Sequence, residues 1–353
     1  MSLLKNSSIV MVGVVVSNLL AYVFHFIAGR MLGPEDYGVF GALMALFLLV
    51  ALPTGALGSA ITKYTSRFHS EKQLGHIAVL RKKIQSDVFV FSAVLLLLVI
   101  LFSADIAGFL KIASRIPVII VGFTLVFALI LPVNRGILQG MKKFRILTWN
   151  NIIEAFARLA LLLFFLYAGY GTNGAVMAYG LAYFVAFLLV FPHIKETKTN
   201  KTGLENIDIR PIYKFIFLVF IVNLVLQSVI NLPSLFIKHY YSSVFTGYWT
   251  AALNIARISL FATRAISMVM FPEIAGEKDH SNKKKIFGKA VILVSLASSG
   301  IALLLFAIPA FLIRTLYGPA YLGAVPILEW MGVAMIFLGL LQLSASYLLA
   351  RVK

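Results

Sequence analysis

The stretch Arg30–Leu43, RMLGPEDYGVFGAL, places Gly33, Pro34, Glu35, Asp36, Tyr37 and Gly38 in six consecutive positions between two long apolar runs. The runs cover approximately 8–28 and 38–62, each near the roughly 20 residues that a helix needs to cross a hydrocarbon core of about 30 Å. Pro34 suits the first turn of a helix, where its missing N–H is no loss. Glu35 and Asp36 then lie beside the positive end of that helix's dipole. The stretch therefore reads as the corner of a hairpin of two membrane-crossing helices.

Working outward, the same pattern recurs along all 353 residues, of which 61% are hydrophobic and only 12% charged. Ten spans are expected, at about 8–28, 38–62, 86–110, 116–139, 148–167, 172–194, 212–238, 245–271, 287–316 and 322–350. The first run is not followed by a small-residue cleavage site, so it reads as a span and not as a signal peptide. The predicted class is an all-α polytopic membrane protein. The chain has no cysteine, which removes disulfides and thiolate metal sites from consideration.

A net charge of +18 invites a nucleic-acid reading, but the distribution argues otherwise. Twenty-three of the 31 Lys and Arg residues fall on alternate loops and the termini, among them the runs Arg81–Lys83 and Lys283–Lys285, with Arg135 to Arg145 counted as one such loop. By the positive-inside rule these face the cytoplasm, both termini are cytoplasmic, and the Arg30–Leu43 corner is extracytoplasmic. The basic runs then meet anionic lipid headgroups, and no nucleic-acid partner is expected.

The chain also resembles itself. At an offset of about 209 residues, GVFGALMA from Gly38 falls on GYWTAALN from Gly247, and Pro117 falls on Pro326. At nearly the same offset ILQGMKK from Ile137 meets YLLARVK from Tyr347. One offset serving three separated places indicates an internal repeat, and an even number of spans per copy makes it a parallel one. The expected organisation is a six-helix lobe over 1–197, a cytoplasmic linker over 198–211, and a partial second lobe of four helices over 212–353.

Polar residues within spans are expensive in lipid and mark cavities or partner helices. Asn223, Gln227, Asn231, Ser234 and Lys238 share one face of the seventh span, as Asn18, Tyr22, His25 and Gly29 share one face of the first. The repeat offset maps Asn18 onto Gln227, Tyr22 onto Asn231 and His25 onto Ser234. These ladders line a water-filled cleft or hydrogen-bond to neighbouring helices. Asn254, Arg257 and Arg264 fall on one face of the eighth span, where an anionic ligand or Glu329 would supply the countercharge. Arg158, four residues after Glu154, reads as a helical ion pair. His25 reads as a hydrogen-bonded group or a proton carrier.

With RMLGPEDYGVFGAL, GILQGMKKFRILTWNNIIEAFARL (136–159), GYWTAALNIARI, FPEIA and LYGPAYLGAVPIL in view, the chain resembles the Wzx-type, polysaccharide-export flippases of the MOP superfamily. That superfamily also holds MATE multidrug exporters and MurJ-type lipid II flippases. The resemblance implies a MATE-like two-lobe bundle, with the second lobe shortened from the usual twelve or more spans. It further implies movement of an oligosaccharide on a polyprenyl phosphate or pyrophosphate to the outer leaflet of the cell membrane, for cell-surface polysaccharide biosynthesis. The expected substrate-binding residues are Asn18, Tyr22, His25, Gln227, Asn231, Lys238, Asn254, Arg257 and Arg264. Expected partners are the lipid-linked oligosaccharide, membrane lipids and polysaccharide assembly enzymes. No cofactor or metal is expected. No Walker A pattern or nucleophile elbow is present, so an enzyme reading has nothing to use. A lipid II flippase, a MATE-like exporter and a non-transporting membrane scaffold stand as alternatives.

Overall fold

A computed structural model describes residues 3–194, 208–277 and 279–351. Most of the expected 198–211 linker lies outside the described residues. The helices are α1 (Leu3–Val50), α2 (Pro53–Ser70), α3 (Leu74–Leu101), α4 (Ser103–Phe109), α5 (Ile116–Gly140), α6 (Phe144–Tyr167) and α7 (Gly171–Ile194). They continue with α8 (Arg210–Tyr240), α9 (Ser243–Ala256), α10 (Ser259–Gly276), α11 (His280–Ala307), α12 (Pro309–Leu316) and α13 (Val325–Arg351). A short 3-10 segment, Pro319–Ala324, precedes α13. No strand occurs among the described residues.

Nine stretches among the described residues are long and apolar enough to cross a membrane, the first being the 41-residue Val10–Val50. At 1.5 Å per residue that stretch is about 61 Å long, twice a hydrocarbon core. It is two spans end to end, joined at Gly33, whose φ of 73° and ψ of 172° lie outside the helical region. Only a residue without a Cβ adopts this conformation at little cost. Pro34 begins the second segment, as its missing donor favours. Nine stretches thus account for the ten expected crossings.

Two compact units make up the chain, Met1–Leu32 with Val39–Tyr240, and Gly33–Gly38 with Tyr241–Lys353. In the first, α5 is the central helix, packed by α2, α3 and α7, while α6 covers α7 and α8 packs on α2. Its core includes Leu57, Ile61, Leu80, Leu129, Val133 and Val190. Ile212 of α8 joins the same core, so this unit takes in a helix that the sequence reading grouped with the second lobe. Large apolar side chains such as Phe89, Phe91 and Leu97 of α3 are at least half exposed, as a surface solvated by lipid tails requires.

In the second unit α13 takes the role of α5, packed by α10 and α11 as α5 is packed by α2 and α3. Gly122 of α5 abuts Val99 of α3, and Gly332 of α13 abuts Ala302 of α11. These glycines are 210 residues apart but their partners are 203 apart, so what repeats in packing is the pairing of helices, not these two contacts. Thr124 of α5 is buried under Gly180 of α7.

The eighth expected span is not one helix. It breaks at Arg257 and Ile258 between α9 and α10. There Ile258 N–H bonds to Ile255 O, Leu260 to Arg257 O and Phe261 to Ile258 O. These i→i−3 bonds overwind the chain, so the seven-residue spacing of Arg257 and Arg264 no longer guarantees one face. Neither Gly nor Pro occurs there, which is why the sequence carries no sign of the break.

Candidate functional site

Within the first unit, α6 presents Asn150, Glu154 and Arg158 at intervals of four on one helical face. Glu154, 6% exposed, receives two guanidinium groups. Arg135 Nη2 of α5 lies 2.8 Å from Oε2, and Arg158 pairs with Oε1. Arg135 Nε donates to Asn150 Oδ1 at 2.8 Å, while Asn150 Nδ2 donates to the Ala186 carbonyl of α7 at 2.8 Å. The Arg158 guanidinium sits 4.3 Å from the ring centre of Tyr179 and 5.4 Å from that of Tyr183. Charges this far from water are tolerated when they are paired, and of this cluster Arg158 Nε is a buried polar atom without a hydrogen-bond partner. Two guanidiniums around one carboxylate leave an excess of one positive charge.

That excess borders a cavity. A space of about 360 Å³ is lined by Arg135, Tyr183, Asn223, Gln227 and Thr54, with Phe47, Leu131 and Pro132 among its apolar walls. Its size is at the lower end of ordinary ligand sites. One guanidinium, two carboxamides and a tyrosine suit a ligand that combines an anion with hydroxyl groups.

Arg135 is the correction to the sequence reading, which counted it among the cytoplasmic loop charges. It lies inside α5, five residues before the helix ends at Gly140, and its side chain is 20% exposed. Its partner Glu154 is 19 residues away on another helix, beyond the reach of any helical spacing rule. The Glu154–Arg158 pair itself forms as the i,i+4 rule anticipates;.

The ladder of α8 divides. Asn223 and Gln227 line the cavity. Asn231 is buried and donates to the Gln227 carbonyl at 2.9 Å, and Ser234 is buried. Lys238 is 1% exposed, with its Nζ 3.3 Å from the Lys111 carbonyl oxygen. The neighbouring His239 ring stacks on Phe109 and bonds to the Phe109 carbonyl at 2.7 Å. The lower end of the ladder thus ties α8 to the segment that links α4 and α5.

In α1, Asn18 and Tyr22 are half-buried, and Tyr22 lies beside Phe26. His25 sits in a nest of Phe24, Phe40 and Tyr179, its Nε2 3.4 Å from the Tyr179 hydroxyl. Neither Asn18, Tyr22 nor His25 is among the residues lining the Arg135 cavity. In the second unit, Asn254 is buried and donates to the Tyr37 hydroxyl at 2.9 Å. Arg257 is half-buried and Arg264 exposed. The Arg264 guanidinium lies 5.9 Å from the Phe261 ring centre, and among the described residues no ion pair joins it to Glu329.

The opening turn completes the second unit. Tyr37 is fully buried, its hydroxyl 3.3 Å from that of Tyr317, with Tyr321 edge-on. A Cβ on Gly38 would overlap the Ser243 carbonyl, and one on Gly247 would overlap the Pro34 carbonyl. Residues 34 and 243, like 38 and 247, differ by the repeat offset. The contact is reciprocal, two equivalent glycines letting two equivalent helix starts touch backbone to backbone.

Residues 3–276 match the family model described as polysaccharide biosynthesis protein. The chain belongs to that family. Family membership agrees with the resemblance carried by the Arg30–Leu43 corner and the 136–159 segment. Among its relatives is an uncharacterized membrane protein of Methanocaldococcus jannaschii, 27% identical over 300 residues that cover 81% of this chain and 71% of that one. Its fold is similar to that of a multidrug resistance MATE family transporter of the MOP superfamily in an inward-facing conformation. That match has a TM-score of 0.75 at 12% identity and covers 95% of this chain and 83% of the other. The lipid II flippase MurJ in its inward closed conformation matches with a TM-score of 0.72 at 17% identity, over 97% and 77% of the chains. A MOP superfamily transporter from Pyrococcus furiosus matches at 0.66 and 14% identity, over 98% and 84%. This member of the polysaccharide biosynthesis family is therefore a multi-pass membrane protein with a MOP-type fold.

Proposed function

We propose that the protein is a flippase that carries a polyprenyl-phosphate-linked or polyprenyl-pyrophosphate-linked oligosaccharide from the cytoplasmic to the outer leaflet. The observation that carries this reading is the cavity in the first unit, where Arg135 stands beside Asn223, Gln227 and Tyr183. A phosphate needs countercharge away from bulk water, and sugar hydroxyls need both donors and acceptors. Arg135 supplies the first and the carboxamides the second. Glu154 and Asn150 hold the guanidinium in place, so little ordering remains for the ligand to impose. The lipid tail stays in the bilayer while the headgroup crosses, and an inside-negative potential favours outward movement of an anion by about 2.3 kcal/mol per charge per 100 mV. Arg257 and Arg264 remain candidates for anion contact within the second unit, and Asn18, Tyr22 and His25 for sugar contacts within the first.

Membership of a polysaccharide biosynthesis family favours an oligosaccharide over lipid II or a multidrug substrate. Complementation of strains lacking each flippase type tests the choice. Arg135→Gln should lower transport at least tenfold, and Arg135→Lys should keep part of it, because lysine retains charge but loses the planar fork. Asn223→Leu with Gln227→Leu should reduce transport of the sugar-bearing substrate while the protein still inserts. Full transport by Arg135→Gln would overturn the assignment of the site.

A further inference from the structure

The second expected span, 38–62, is not continuous. α1 ends at Val50 and α2 begins at Pro53, and both copies of the repeat carry such a break, at 51–52 here and at 257–258 in the second unit. Pro53 has no N–H to give to the preceding turn, and Thr54 N–H turns back to Ala51 O at 3.0 Å. No side chain caps α2. Among the described residues, the N–H groups of Leu52, Gly55 and Ala56 have no hydrogen-bond acceptor. Leu52 and Ala56 are at most 6% exposed, and inside a span bulk water does not satisfy such groups. This helix start opens on the cavity of the first unit. Ala51, Leu52, Thr54 and Gly55 line it together with Arg135, Asn223 and Gln227, and no acidic residue does. Gly55 is exposed. A Cβ built on it would lie 3.3 Å from Asn223 Nδ2 and within 4 Å of nothing else, so only that carboxamide stands over its backbone.

We propose that the Gly55 N–H and the Thr54 hydroxyl complete, with Arg135, a phosphate subsite in this cavity, and that Asn223 and Gln227 are left to the sugar. On the flippase reading, on which this rests, the two parts of the headgroup then have separate partners. A phosphate only accepts hydrogen bonds when fully ionised, and a guanidinium and a backbone N–H only donate them. Carboxamides do both, as sugar hydroxyls do. The helix start does not stand alone. On two other helices, the Arg135–Glu154–Arg158 cluster holds one positive charge more than it neutralises, and its Arg135 borders the same space. The positive end of the α2 dipole adds to that charge. Broken helices inside a bilayer are where transporters seat charged substrates, because the backbone groups freed by the break replace water.

The test is binding of farnesyl phosphate to the full chain in detergent, read by isothermal titration calorimetry, with farnesol as the neutral ligand of the same tail. Farnesyl phosphate should bind at least about tenfold tighter than farnesol. Gly55→Ala and Gly55→Pro both add a Cβ, but only proline removes the N–H, which makes no helix bond that could be lost;. Gly55→Ala should stay within about twofold of the parent, and Gly55→Pro should weaken farnesyl phosphate about tenfold without changing farnesol. Thr54→Val should weaken it about threefold and Thr54→Ser should not; this pair decides if Gly55→Pro does not elute as a single species. Equal affinities for Gly55→Pro and Gly55→Ala, or for Thr54→Val and Thr54→Ser, would overturn the subsite, and if Arg135→Gln still lost binding the flippase reading would stand without it. A parent protein that does not distinguish farnesyl phosphate from farnesol would overturn both.

Discussion

Glu154 is the single carboxylate between the guanidiniums of Arg135 and Arg158, and its removal is the most damaging change expected in the first unit. Glu154→Gln leaves two partly buried cations uncompensated, a loss of up to about 3–5 kcal/mol, the scale of broken buried pairs. The thermal midpoint of the detergent-solubilised protein, followed by fluorescence-detected size exclusion, should drop by many degrees. Glu154→Gln combined with Arg158→Gln should be milder than Glu154→Gln alone, because one of the stranded charges goes too. An additive result would mean that the two side chains are not coupled. Half of this cluster is legible in the sequence, since Glu154 and Arg158 obey a helical spacing. Arg135 is not, because a contact between two helices leaves no period in the chain.

At the scale of elements, the paired starts of α9 and of the α1 segment after Gly33 decide what the glycines do. Gly38→Ala and Gly247→Ala force a Cβ into a backbone carbonyl, which no side-chain rearrangement relieves, so each should cost several kcal/mol and lower the midpoint. Gly288 of α11 has nothing within 4 Å of an added Cβ. Gly288→Ala should be neutral or stabilising by about 0.5–1 kcal/mol through helix propensity. Identical midpoints for all three variants would show that the backbone contact is absent. The sequence marks Gly38 and Gly247 as equivalent. It does not say that they touch, and a hairpin corner explains Pro34, Glu35 and Asp36 without explaining why Tyr37 and Gly38 are buried.

For the molecule as a whole, the bias of basic residues to alternate loops predicts a sidedness that cysteine labelling can read. The chain has no cysteine of its own, and both Asp36 and Ser70 are exposed. A membrane-impermeant maleimide should label Asp36→Cys from outside and Ser70→Cys only after the cytoplasmic face is opened. Labelling of both from one side would refute the topology. The same bias survives the reassignment of Arg135 from loop to helix, because one residue in 23 does not change which loops are basic. Hydropathy, charge bias and the repeat are properties of local composition and of order along the chain, so span number, fold class and the kinship of the two copies follow from the sequence. Cavity lining, the burial of Lys238, the break between α9 and α10 and the partners of Arg135 depend on which helix faces meet. Lipid and protein neighbours are equally apolar to a helix, so no pattern within one helix says which residues it will touch; only packing in three dimensions brings Arg135, Glu154 and Gln227 to one place.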